Sequence, residues 1–161
     1  MTDPVFDFAV TRTLQHEGGL VHDPADPGGL TNFGISQRAY PLLDIAALSV
    51  EDARAIYLRD YWRAPGFAGL THRQTAALVF DLAVVCGVSR ATRFLQEAAN
   101  LLGASLDVDG KCGPATRGAV NGQRHQAALR ALIKHLATAH FLRQNKPRFL
   151  AGWLNRLESP L

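Results

Sequence analysis

Three acids and a hydroxyl crowd into one short stretch near the start of this 161-residue sequence: Glu17, Asp23, Asp26 and Thr31, within EGGLVHDPADPGGLTNFGI. Carboxyl groups can exchange protons with a substrate, and one that is kept neutral can serve as a general acid. An acid facing a second carboxylate across a cleft is the equipment of glycoside hydrolysis, in which one protonates the leaving oxygen and the other side activates water. Glu17 is the candidate acid, and Asp26 with Thr31 the candidate water-holding side. Asp23 can take the place of Asp26 or merely shape a turn.

The elements that must position these groups flank Glu17. Asp3 is a good N-cap, and Pro4 suits the first helical position. Val5, Phe6, Ala9, Val10, Thr13 and Leu14 then repeat on one helical face, and the stripe extends to Glu17. A carboxyl on a core-facing stripe loses water, which favours its neutral form. Gly18 and Gly19 end the helix. Asp23-Pro24 and Asp26-Pro27-Gly28-Gly29 are turn sequences, with Pro fixing φ and Gly permitting positive φ. Two tight turns fold the loop back and bring a second carboxylate and a hydroxyl to face Glu17. Gly28, Gly29 and Asn32 let the loop double back.

The EGG followed by DPADPGGLTNFGI resembles the signature of the glycoside hydrolase family 108 muramidases. Its layout is similar to the Glu, Asp, Thr triad of phage-type lysozymes. Further matches follow in order over roughly the whole chain: Tyr61-Trp62, the FDLAV run Phe80 to Val84, the DGKCGPAT turn Asp109 to Thr116 of a peptidoglycan-binding segment, and GWLNR from Gly152 to Arg156. One departure is Ala83-Val84-Val85-Cys86-Gly87, where the family has AVN-x-G, so the Asn that would make a polar contact is missing. The resemblance implies a mostly α, lysozyme-like helical fold with a small β-hairpin or loop after the first helix. It implies cleavage of the β-1,4 bond between N-acetylmuramic acid and N-acetylglucosamine, with Glu17, Asp26 and Thr31 catalytic. Asp23, Asn32, Tyr61 and Trp62 join them as candidate substrate-binding residues, and no cofactor or metal is expected. The implied setting is a phage-type endolysin or a wall-remodelling muramidase assisting secretion or particle release. A peptidoglycan-binding scaffold that kept the lysozyme shape is the alternative.

Hydrophobic residues make up 47% and charged residues 19%, an ordinary globular balance. The longest apolar run, Ala76 to Cys86, is interrupted by Asp81 and is too short to span a bilayer. No basic-then-apolar segment opens the sequence. The expectation is therefore synthesis in the cytoplasm and action in the periplasm or cell wall, reached through a holin or secretion system, as a monomer. Charge is uneven. Residues 1–110 carry 8 Lys and Arg against 13 Asp and Glu, whereas 111–161 carry 9 against 1. Such a basic block suits nucleic acid, an anionic membrane or an anionic wall polymer. No zinc finger, RNP-like motif or basic zipper supports nucleic acid. Arg117, Arg124, Arg130, Lys134, Arg143 and Lys146 are expected to form a surface patch, apart from the Glu17 lobe, that holds the enzyme on an anionic wall or membrane surface.

The rest of the chain is helical. Ser49 is an N-cap for a helix ending at Tyr61-Trp62, and Thr71 with Gln74 forms a capping box for a helix buried nearly all round. Its one charge, Asp81, suits a buried ion pair or cap better than catalysis. An amphipathic helix follows to Gly103, then a turn over 107–113, a short helix from Pro114, a long one through Leu129 to Ala139, and a last one from Pro147 to near Trp153. Residues 1–103 form the catalytic lobe and 104–161 a C-terminal lobe, packed as one unit. Phe67, Tyr61 and Trp62 have two readings, sugar groove or core. Cys86 is most simply a buried thiol, with a bond to Cys112 the alternative. His16, Glu17, His22, Asp23 and Asp26 lack the HExxH spacing of a metal site, and Asp107 to Gly110 lacks the closing Glu of a calcium loop.

Overall fold

A computed structural model describes residues 3–22 and 29–160. Among these are seven α-helices and a small antiparallel sheet, the mostly α fold expected. α1 is Pro4–His16, and Asp3 caps it as its sequence implies: Oδ1 accepts from the N–H groups of Val5 and Phe6 at 3.0 and 3.1 Å. The other oxygen, Oδ2, accepts the indole N–H of Trp62 at 2.7 Å. One side chain thus starts the helix and ties it to a later one.

The chain then forms β1 (Val21–His22), β2 (Leu30–Asn32) and β3 (Ile35–Ser36), paired in that order. Thr31 lies opposite Val21 on one side and Ser36 on the other. The β2–β3 turn is the two-residue pair Phe33-Gly34, both with positive φ (51° and 76°), as a type I′ hairpin requires. Asn32 is buried, and its amide donates to the carbonyls of Ile45 and Leu48. That anchors the hairpin to the following loop.

α2 (Val50–Ile56) opens with a capping box formed by Ser49 and Asp52 and continues into a π-helical segment, Tyr57–Arg63. The wider i→i+5 winding lets Tyr57 and Trp62, five residues apart, both enter the core. There Phe6, Tyr57 and Trp62 each meet Phe80 edge-on with centroids 5.8–6.0 Å apart. Such pairs add about 0.5–1.5 kcal/mol each beyond area burial. They fasten α1 and the π segment to α3 (Arg73–Cys86), which is buried from Thr75 through Ala83.

α3 packs on α1 and on α4 (Val88–Leu101), and α4 packs on α5 (Pro114–Gly122) and α6 (Gln126–Arg143). The capping box expected at Thr71 does not form. α3 starts later, capped by His72 without a side-chain bond, because Asn121 accepts the Thr71 N–H and donates to the Gly69 carbonyl. The last helix, α7 (Pro147–Glu158), runs past Trp153. Cys86 and Cys112 are both free thiols. No helix among the described residues is long and apolar enough to cross a membrane.

Candidate active site

Glu17 is the C-cap of α1, with extended backbone, so its side chain leaves the helix where the hairpin begins. It lines a cleft of about 470 Å³ with three walls around it. The hairpin contributes Thr31, Gly34 and Ser36, the end of α3 contributes Val84 and Val85, and α7 with its N-cap contributes Lys146, Phe149, Trp153 and Arg156. Glu17 and Thr31 are thus brought together as expected. Val84 and Val85 make an apolar wall where the related motif carries Asn. Asp23 and Asp26 lie outside the described residues.

The surroundings of Glu17 differ from the apolar stripe expected of them. Arg156 Nη1 donates to Glu17 Oε1 at 2.5 Å. The same guanidinium forks onto Asp81, with Nε to Oδ2 at 2.8 Å and Nη2 to Oδ1 at 2.7 Å. Asp81 is 4% exposed, and it also accepts the Thr13 hydroxyl at 2.8 Å and lies 3.5 Å from Arg12. A buried carboxylate without partners would be costly; this one is met from three sides. Burial works against the charge on Arg156, but its bonds to Asp81 and Glu17 more than offset this and raise its pKa. Arg12 in turn donates to the carbonyls of Arg156, Ser159 and Pro160, neutralising the end of α7. The whole network holds α7 against the base of α1.

Above Glu17 sits Gly34. A Cβ built there would lie 2.6 Å from Glu17 Oε2 and 2.7 Å from the Tyr57 hydroxyl. Only glycine fits, both for φ and for space. Tyr57 donates to the Phe33 carbonyl at 2.7 Å, which pins the hairpin tip over the acid. Glu17 Oε1 therefore belongs to Arg156, and Oε2 lies under the turn.

Two candidate substrate contacts are corrected. Trp62 is 1% exposed and bonded to Asp3, so it is core. Asn32 spends its amide on backbone carbonyls, so it is structural. Tyr61 is half-buried against Tyr57 and does not line the cleft; burial, then Asp60 and Glu17, raise its pKa. Phe67 is buried. The separation expected of the basic block also fails. Lys146 and Arg156 stand in the Glu17 cleft, and Arg117 turns inward to donate to the Cys112 carbonyl at 2.7 Å. Gly34, Arg156, Phe149 and Trp153 escaped the sequence reading as site residues. The positive-φ turn signal in NFGI points to the glycine, but no local pattern links α7 to Glu17.

Residues 6–87, which carry Glu17 and the hairpin, match the family described as glycosyl hydrolase 108. The chain belongs to that family. Residues 90–158 match a second family, described as a predicted peptidoglycan domain. Among solved structures, SagA of Brucella abortus is similar, with 26% identity and a TM-score of 0.79 over 97% of this chain and 91% of that one. Comparison with curated proteins gives no match. As a member of glycosyl hydrolase 108 the protein is a glycoside hydrolase, a lysozyme-like enzyme that cleaves peptidoglycan. The two matched segments share one cleft, because Glu17 and Thr31 come from the first and Lys146, Phe149, Trp153 and Arg156 from the second.

Proposed function

We propose that this enzyme is a muramidase, cutting the β-1,4 bond between N-acetylmuramic acid and N-acetylglucosamine with Glu17 as proton donor. The observation that carries this reading is Glu17 at the floor of an open cleft, with Thr31 on the hairpin wall. Oε1 is held by Arg156, so the transferred proton resides on Oε2. Asp26 and Thr31 orient water on the other face of the sugar, which gives inversion for carboxyl groups roughly 6.5–9.5 Å apart. The substrate puts its work in the periplasm or wall, as a monomer delivered by a holin or secretion system.

Glu17→Gln keeps shape and hydrogen bonding but cannot act as a carboxylic acid. Since general acid catalysis is worth about 10²–10⁴ in rate, lysis should fall at least about a hundredfold with the fold intact. Mass spectrometry of digested sacculi reads the bond: reducing-end muramic acid is expected from the wild type. Reducing-end glucosamine would make it a glucosaminidase, and near wild-type rate in the Gln variant would remove Glu17 from the chemistry.

A further inference from the structure

The second wall of the cleft carries groups that the acid chemistry does not use. On α7 and its N-cap, Lys146, Phe149, Trp153 and Arg156 follow one another at spacings of three, four and three residues, so they share a helical face, and all four line the cleft. Phe149 is 40% exposed, yet it is not loose. Its ring stacks on Trp153 at 5.9 Å and 23°, and Trp153 lies 4.9 Å from Phe141, which is buried. The three rings form a ladder rooted in the core and ending in the cleft. Arg148 approaches Phe149 at 5.6 Å from its centroid, a cation–π contact.

The charges of this wall are unequal in availability. Arg156 is committed to Asp81 and Glu17. Lys146 is exposed and has no ion-pair partner among the described residues. It is the free cation of the cleft there. A sugar ring offers polarised C–H groups to an aromatic shelf, whose face is electron-rich. A cation beside that shelf adds preference for a carboxylate on the sugar.

We propose that α7 is the substrate-reading wall of the active site: Phe149 and Trp153 seat a sugar ring, and Lys146 recognises a carboxylate borne by that sugar. This rests on the muramidase reading and deepens it, since the carboxylate marks a muramic acid residue against plain N-acetylglucosamine. Its source is either the lactyl group itself or the peptide stem attached to it. The second matched segment is then part of the catalytic cleft as well as a wall-binding element.

The test measures binding of the full-length protein, by tryptophan fluorescence and calorimetry, to three soluble oligosaccharides. These are glycan fragments with peptide stems, the same fragments with stems removed by an amidase, and chito-oligosaccharides, which lack carboxylates. Wild type is expected to prefer the first two. Lys146→Gln should weaken a carboxylate-bearing ligand about tenfold, leaving chito-oligosaccharides unchanged. Loss on stem-free fragments assigns the lactyl carboxylate, and loss confined to stem-bearing fragments assigns the stem. Phe149→Ala, at an exposed position, should weaken all three several-fold. Equal effects of Lys146→Gln on all ligands, or none on any, would overturn the carboxylate assignment, and an inert Phe149→Ala would overturn the shelf. The bond cleaved, read separately from products, tests the muramidase reading: wild-type muramic acid ends with an inert Lys146→Gln would defeat this inference alone.

Discussion

Gly34→Ala is the sharpest perturbation of the site, because it adds one carbon and no charge. The new Cβ would lie 2.6 Å from Glu17 Oε2, while ordinary contact begins at 3.4 Å, so the carboxyl or the turn must move by about 0.8 Å. A misplacement of about 1 Å at a reacting group costs on the order of a hundredfold in rate. The φ of +76° adds roughly 1–2 kcal/mol of backbone strain for a residue with a Cβ. For a chain of this length, that strain and the clash together should lower the melting temperature by roughly 3–10 °C. Gly103→Ala separates the two effects. Its φ is +98°, but nothing lies within 4 Å of the new carbon. It should lose comparable stability and keep its activity. Clearing of sacculi well below both melting temperatures, alongside thermal melts, is the assay. Gly34→Ala at wild-type turnover, or Gly103→Ala equally impaired, would refute the claim that Gly34 acts by contact with the acid.

Asp81→Asn should destabilise the fold by about 3 kcal/mol in urea titration, because two buried guanidinium groups lose their common anion; a change under about 0.5 kcal/mol would make the network ornamental. Asp26→Asn and Thr31→Ala should each lower turnover more than sacculus binding, with Asp23→Asn milder; the reverse order would move the base to Asp23. Burial pushes the Cys86 thiol up to about 12 and that of Cys112 to about 11. At pH 8 a thiol reagent should therefore label the native protein at least about a hundredfold more slowly than the protein in urea, and prompt native labelling would contradict the burial.

The legible parts of this protein were those whose cause is local. Asp3, Pro4 and the apolar stripe specify α1, and the glycine- and proline-rich run after Glu17 specifies the return of the chain. Asp81 was half legible. A single charge in an otherwise apolar helix demands a partner, but the partner is 75 residues away and no spacing names it. Lys146, Phe149 and Trp153 stayed hidden for the same reason, since a helix's own periodicity says which face is wet and not which cleft it borders. Trp62, five residues after the buried Tyr57, misled in another way. Their spacing suits neither one face of an α-helix nor an alternating strand, and the π winding that buries both is a tertiary outcome. Thr71 lost its cap to Asn121, a competing partner fifty residues on.

The contact between Glu17 and Arg156 spans 139 residues. Entropy makes little of that distance, since closing a loop ten times longer costs only about 2 kcal/mol more. Time makes more of it. A ribosome adding about 5–20 residues each second leaves Glu17 waiting roughly 7–30 s for Arg156 to be made. For most of that interval the emerging polypeptide contains the residues of the hairpin but lacks those of the opposite wall, and Arg12 has no helix end to grip. No early fragment can carry a finished cleft. Order of synthesis alone therefore leaves the cleft one-sided until the last helix is made.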